Sequence, residues 1–170
     1  MDRVFRRIRD QLATAPDVPA PPPPAPSPDP GDRVEAFRFA LLRAGGRFLE
    51  FAGEDEARAA FPDDDGETGI DHADLLIADT GTVVRTYASR EESRVSLVPP
   101  RSVFLATPDL IVPGLPEALD RLTDLHRAGP AYTVFVTGPS RTADIEKQLV
   151  IPAHGPRELV VALIGTQVEQ

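Results

Sequence analysis

The chain has 170 residues, 41% of them hydrophobic, with a formal net charge of −9 and an isoelectric point near 4.8. That is enough apolar content for one packed domain, and the acidic balance argues against nucleic acid as the main partner, because phosphate neutralisation needs clustered Lys and Arg. Cys is absent, which excludes disulfides, thiolate zinc sites, Cys nucleophiles and an iron–sulfur cluster ligated by the chain's own thiolates.

The three His are far apart and offer no metal-ligand spacing, so no metal is expected. No apolar run approaches the roughly 18 residues a bilayer span requires. The N-terminus lacks the apolar core of a signal peptide, which points to a cytoplasmic location.

In chain order, residues 1–15 place Val4, Ile8 and Leu12 on one stripe, with Arg3, Arg6, Arg7, Arg9 and Asp10 elsewhere. This is an amphipathic helix or arm, docking on its own domain or on a partner; it is short for a membrane-surface role. Residues 16–31 are dominated by Pro and read as a semi-rigid polyproline spacer, with an SH3-type ligand as the weaker alternative. An α/β domain is expected over residues 32–170. Deleting what precedes it is expected to change stability little.

Asp32 and Glu35 fit a capping box before a helix over residues 34–44, which Gly45-Gly46 ends. A strand over residues 48–51 and a short helix over 54–61 follow. Asp63, Asp64 and Asp65 read as a flexible acidic loop rather than a cation site, since like charges repel. Leu75-Leu76-Ile77-Ala78 and Val83-Val84 read as two strands around the tight turn Asp79-Thr80-Gly81-Thr82.

Residues 89–94 read as a polar turn. Residues 95–98 and 103–106 read as strands separated by Pro99-Pro100. A helix over residues 115–127 is expected to bury the stripe Leu115, Leu119, Leu122 and Leu125. His126 at its end and His72 beside the acidic loop are assigned no chemistry. Tyr132-Thr133-Val134-Phe135-Val136 reads as a buried strand, and residues 143–149 as a short helix with Ser140 or Thr142 as N-cap. Residues 149–151 and 159–164 read as strands, the second without alternation, as in a strand covered on both faces.

Two clusters carry the candidate chemistry. Thr137-Gly138-Pro139-Ser140-Arg141-Thr142 follows a strand, where open α/β sheets form ligand crevices and free N–H groups favour an anion. His154-Gly155-Pro156-Arg157-Glu158 adds an imidazole and a guanidinium, whose planar fork suits a carboxylate. With the turn Asp79-Thr80-Gly81-Thr82 they make three segments that a doubly wound sheet can bring together. Hydroxyls and glycines there let a backbone approach a ligand closely. Simple capping and loop-pinning remain the alternative.

Taken in order, Ala78-Asp79-Thr80-Gly81-Thr82-Val83-Val84, Pro108-Asp109-Leu110-Ile111-Val112-Pro113, Thr137 through Glu146 and His154-Gly155-Pro156 resemble the LUD domain family, the lactate utilisation protein C type in particular. The resemblance covers residues 73–164, and this chain looks like a shortened member, with Pro152 where the family usually has Gly. It implies a mostly parallel sheet flanked by helices, like the fold of ribose-phosphate isomerases and CoA transferases.

It also implies a non-redox subunit that works with two iron–sulfur partner proteins to oxidise L-lactate to pyruvate. No cofactor is then expected in this chain, and clusters are expected only in the partners. The site expected is Asp79, Thr80, Gly81, Thr82, Gly138, Ser140, Thr142 and Arg157 for ligand binding, with His154 and Glu146 as candidates for moving a proton. Two other functions stay open: an independent enzyme acting on an anionic small molecule, and a ligand-sensing module with the N-terminal arm as transmitter.

Overall fold

The computed structural model describes residues 27, 29, 31–62, 66–127, 132–140, 142–143, 149–150 and 156–165. The acidic loop 63–65, the arm 1–15 and the sites expected at Glu146 and His154 lie outside them. Helix α1 (Arg33–Arg43) starts as its sequence demands: the Asp32 carboxylate accepts from the Glu35 N–H at 3.1 Å. It stops at Gly45, whose φ of +90° a side chain would resist. Then come β1 (Arg47–Phe51), α2 (Glu54–Ala60), β2 (Thr68–His72), β3 (Leu75–Ile77), β4 (Thr82–Tyr87) and α3 (Arg94–Leu97). β5 (Arg101–Ala106), a 3-10 turn (Pro108–Leu110), β6 (Ile111–Val112) and α4 (Leu115–His126) follow. The last strands are β7 (Tyr132–Val136), β8 (Thr142–Ala143), β9 (Leu149–Val150) and β10 (Glu158–Ile164).

The fold is α/β, as expected, but the strands divide between two main sheets. The first, in the order β1-β10-β5-β2, is entirely parallel. The second, β6-β3-β4-β7, is mixed, with β3 parallel to β6 and antiparallel to β4, and β4 antiparallel to β7. β2 pairs with β5 in the first sheet, and the strands that follow them, β3 and β6, pair in the second. Two adjacent strands thus cross from one sheet to the other side by side.

Period-two alternation sorts the core into layers. Phe104, Leu159, Val161 and Leu163 of the first sheet meet Leu76 and Val83 of the second, with Phe37 and Leu41 of α1 among them. On the other face Val103, Leu105, Val160 and Ala162 pack against Ala57 of α2 and Phe61. β10 is therefore buried on both faces, which explains its unbroken apolar run. Beyond the second sheet, Leu75, Ile77, Val84 and Val112 pack on Ala118 and Leu122 of α4.

The structure corrects several expectations. Residues 95–98 are not a strand. The Leu97 and Val98 N–H groups bond the Ser93 and Arg94 carbonyls, closing the turn of α3. The Ser96 hydroxyl meets Tyr87 Oη at 2.6 Å, and the Ser96 carbonyl accepts from Ser102 Oγ at 2.5 Å. These tertiary bonds outweigh the β-branched preference of a four-residue run that Pro99 cuts short.

The helix expected over residues 143–149 is not found at its two described ends; residues 144–148 lie outside the described residues. Thr142 and Ala143 pair with Val150 and Leu149 in an antiparallel ladder, with β-branched residues opposite one another at its end. Thr142 therefore lies in a strand rather than at a helix start.

In α4 only Leu122 of the expected stripe is buried; Leu115, Leu119 and Leu125 are 46%, 47% and 45% exposed, and Ala118 takes the central place. β7 is a strand but an edge strand, with Tyr132 and Phe135 exposed. β2 went unread, since Thr68-Gly69-Ile70-Asp71-His72 lacks an apolar pattern; pairing with β5 makes it a strand.

Candidate functional site

β3 and β4 form a hairpin whose last pair is Ile77 with Thr82. Gly81 closes its turn with φ of +65°, its N–H bonding the Ile77 carbonyl at 2.9 Å. A Cβ there would fall 2.2 Å from the Leu41 backbone nitrogen of α1. Gly138, just after β7, has φ of +75°, and its Cβ would fall 2.4 Å from the Ala44 carbonyl oxygen. Both glycines let the end of α1 settle directly on the two turns.

Because β4 and β7 are antiparallel neighbours, the start of one lies beside the end of the other. Thr82 Oγ1 is 2.8 Å from Thr80 Oγ1 and 2.7 Å from Thr137 Oγ1, a chain of three hydroxyls across the sheet end. Asp79 and Thr80 are exposed, while Gly81 and Thr82 are buried. The Asp79 N–H bonds the Pro113 carbonyl, tying this turn to the end of β6. The Ser140 N–H bonds the Pro156 carbonyl at 2.9 Å, which brings the third segment alongside. Arg157 is exposed, and its N–H is fixed to the Pro100 carbonyl at 2.7 Å.

These contacts border an open cleft of about 490 Å³. Leu97, Val136 and Phe135 give it apolar walls, Thr137 and Ser140 bring hydroxyls, and Gly138, Pro139 and Pro156 shape the rim. The cleft lies at the carboxyl end of β7 but before the amino end of β10. The described lining can bind through hydroxyls and backbone groups; proton transfer there needs a side chain beyond it. Thr142 is placed in β8 by its backbone, and Glu146 and His154 lie outside the described residues. Among the described residues no group of three or more His, Asp or Glu is arranged to hold a metal ion.

Two polar clusters were not anticipated. Arg85 of β4 lies 3.0 Å from Asp74 and 3.2 Å from Asp71 of β2, with its guanidinium 5.2 Å from the centre of the Tyr87 ring. Burial lowers the Arg85 pKa, but the Asp71 and Asp74 carboxylates more than offset it and hold it raised. Burial pushes the Tyr87 phenol up to about 12. This cluster pins the crossing between the two sheets.

The second cluster lies at the amino edge of the parallel sheet, where Glu158 of β10 binds Arg47 of β1 and, at 2.6 Å, Arg101 of β5. Burial pushes the Glu158 carboxyl up, and hydrogen bonds from Arg101 and Arg47 reverse that, leaving it below its usual value. Neither cluster has a sequence signal, since residues 71, 74 and 85 meet only through sheet pairing.

Lactate utilization protein C 1 of Bacillus mycoides is 35% identical over 104 residues, 59% of this chain and 44% of its own length. Lactate utilization protein C of Bacillus velezensis is 34% identical over 120 residues, 68% of this chain and 49% of its own. The chain thus spans about half the length of these curated relatives.

A crystal structure of a DUF162 family protein from Deinococcus radiodurans superposes with a TM-score of 0.58 at 18% identity, covering 79% of this chain and 98% of that one, which supports the fold. The family model described as LUD domain matches residues 52–164. That match takes in the strands of both main sheets after β1, and the chain belongs to the LUD domain family.

Proposed function

We propose that this chain acts in lactate utilisation as a subunit of the protein C type, taking part with iron–sulfur partner proteins in the oxidation of L-lactate to pyruvate. The reading rests on the relatives named lactate utilization protein C, and the LUD domain match over residues 52–164 contains the segments that border the cleft. Having no Cys, the chain leaves electron transfer to its partners. Its own part is to bind: a small carboxylate or other anion lies in the cleft, held by Ser140, Thr137 and the Gly138 backbone. Asp79 to Thr82 and Thr142 complete the surrounding turns, and Arg157 pairs with the carboxylate. If the bound acid changes a proton here, His154 or Glu146 moves it.

The test replaces the chromosomal copy in its host by Arg157→Ala or His154→Ala and follows growth on L-lactate and on glucose. Both variants should accumulate to normal levels and grow on glucose, yet lose growth on lactate. Stable variants that grow normally on lactate would remove the ligand site from the proposal. A clean deletion that still grows on lactate would remove the pathway. Ser140→Ala separates binding from local structure, because it should weaken ligand binding with little change in melting temperature.

A further inference from the structure

We propose that Thr82, buried behind the cleft, is a positioning residue: it sets the direction of the Thr137 hydroxyl and so makes Thr137 a fixed donor to a bound carboxylate. This rests on the reading of the cleft as an anion site and names what selects the anion there. Thr82 opens β4 beside the Val83–Val136 pair and is 4% exposed, whereas Thr80 and Thr137 are exposed. The Thr82 hydroxyl oxygen lies 2.8 Å from that of Thr80 and 2.7 Å from that of Thr137. Of the three, Thr137 lines the cleft.

A hydroxyl has one hydrogen to give and two lone pairs to accept with. Thr82 can therefore donate to only one neighbour at a time. If both neighbours donated to it, its own hydrogen would meet no acceptor among the described residues, a costly arrangement for a buried group. Two arrangements remain. In the first the hydrogens run from Thr80 through Thr82 to Thr137, and the Thr137 hydrogen is left to point into the cleft. In the second they run outward, and Thr137 turns lone pairs to the cleft. A carboxylate only accepts, so it binds the first arrangement and is repelled by the second. Each bond in a run of hydroxyls polarises the next, which makes Thr137 a stronger donor than an isolated threonine. Thr80, at the exposed end, completes its bonding with water in either case.

Titration calorimetry of the full chain with L-lactate and with L-lactamide tests this. The amide offers donors as well as an acceptor where lactate offers acceptors only, so it tolerates either arrangement. Thr82→Val keeps the branched shape and should fold as the parent does, because the two hydroxyls it leaves behind are exposed to water. It should weaken L-lactate binding by about threefold to tenfold while changing L-lactamide by less than about twofold. Thr82→Ala removes the same hydroxyl and should behave alike, which serves if the valine disturbs the fold. Thr82→Ser keeps the hydroxyl and should restore lactate binding. In a chain already carrying Thr137→Val, adding Thr82→Val should cost nothing further, since its effect passes through Thr137. No loss, an equal loss for both ligands, or the same loss in the Thr137→Val background would overturn the proposal and leave the anion site standing. A parent chain that fails to bind L-lactate would remove the anion site itself, and this inference with it.

Discussion

β10 and β7 look alike as sequences and behave differently as strands. Leu159-Val160-Val161-Ala162-Leu163 is buried throughout, with α1 and the second sheet on one face and α2 on the other. Tyr132-Thr133-Val134-Phe135-Val136 has comparable β propensity, yet it sits at a sheet edge and leaves Tyr132 and Phe135 exposed. The difference lies in the neighbours. A strand's composition records that it prefers a pleated, partly buried surface, and its place in the sheet decides how much of it is covered. The edge is also where the cleft opens, because a strand end without a second neighbour leaves room for a ligand.

Truncation should separate the two strands most strongly. Leu163→Ala removes a fully buried side chain between two layers and should cost about 3–5 kcal/mol in urea unfolding. Phe135→Ala should cost under about 1 kcal/mol, given its exposure. Similar losses for both would mean that β7 is covered in solution.

The turns at the cleft end of β7 give the next effect. Gly81→Ala and Gly138→Ala each force a Cβ against the α1 backbone at positive φ, and each should cost about 2–4 kcal/mol by chemical denaturation. A change below about 0.5 kcal/mol at either position would show that α1 does not rest on that turn.

Capping of α1 comes third: Asp32→Ala removes the acceptor for the Glu35 N–H and should cost about 1 kcal/mol in thermal melts.

The smallest effect is electrostatic and belongs to the amino end of β10. Hydrogen bonds from Arg101 and Arg47, working against burial, hold the folded-state pKa of Glu158 below the ordinary Glu value of 4.5. Its contribution is therefore fully present above about pH 4.5 and is lost as pH falls through the lower folded value. Glu158→Gln should be less stable than the parent at pH 7, with the gap narrowing below pH 4.5. A gap independent of pH would assign the Glu158 contacts to packing rather than charge.

Local chemistry was legible wherever a residue acts on its own neighbours. Asp32 caps α1, Gly45 ends it, Gly81 closes the hairpin between β3 and β4, and the uniform run of β10 announced burial on both faces. The ordered motifs around residues 78, 108 and 137 carry the family resemblance by themselves. They also marked the turns at 79–82 and 137–140 as candidates, and the Thr82–Thr137 hydroxyl contact brings those turns together.

Tertiary structure decided the remainder. It split the strands into two sheets, put the helix α3 where a strand over 95–98 was expected, and paired Ala143 with Leu149, the two ends of an expected helix. It assembled Asp71, Asp74 and Arg85 from positions with no shared spacing, and it left three leucines of α4 half exposed. Periodicity encodes which face of an element is apolar. Which other element covers that face depends on pairings between residues far apart in the chain, and no local pattern carries that information.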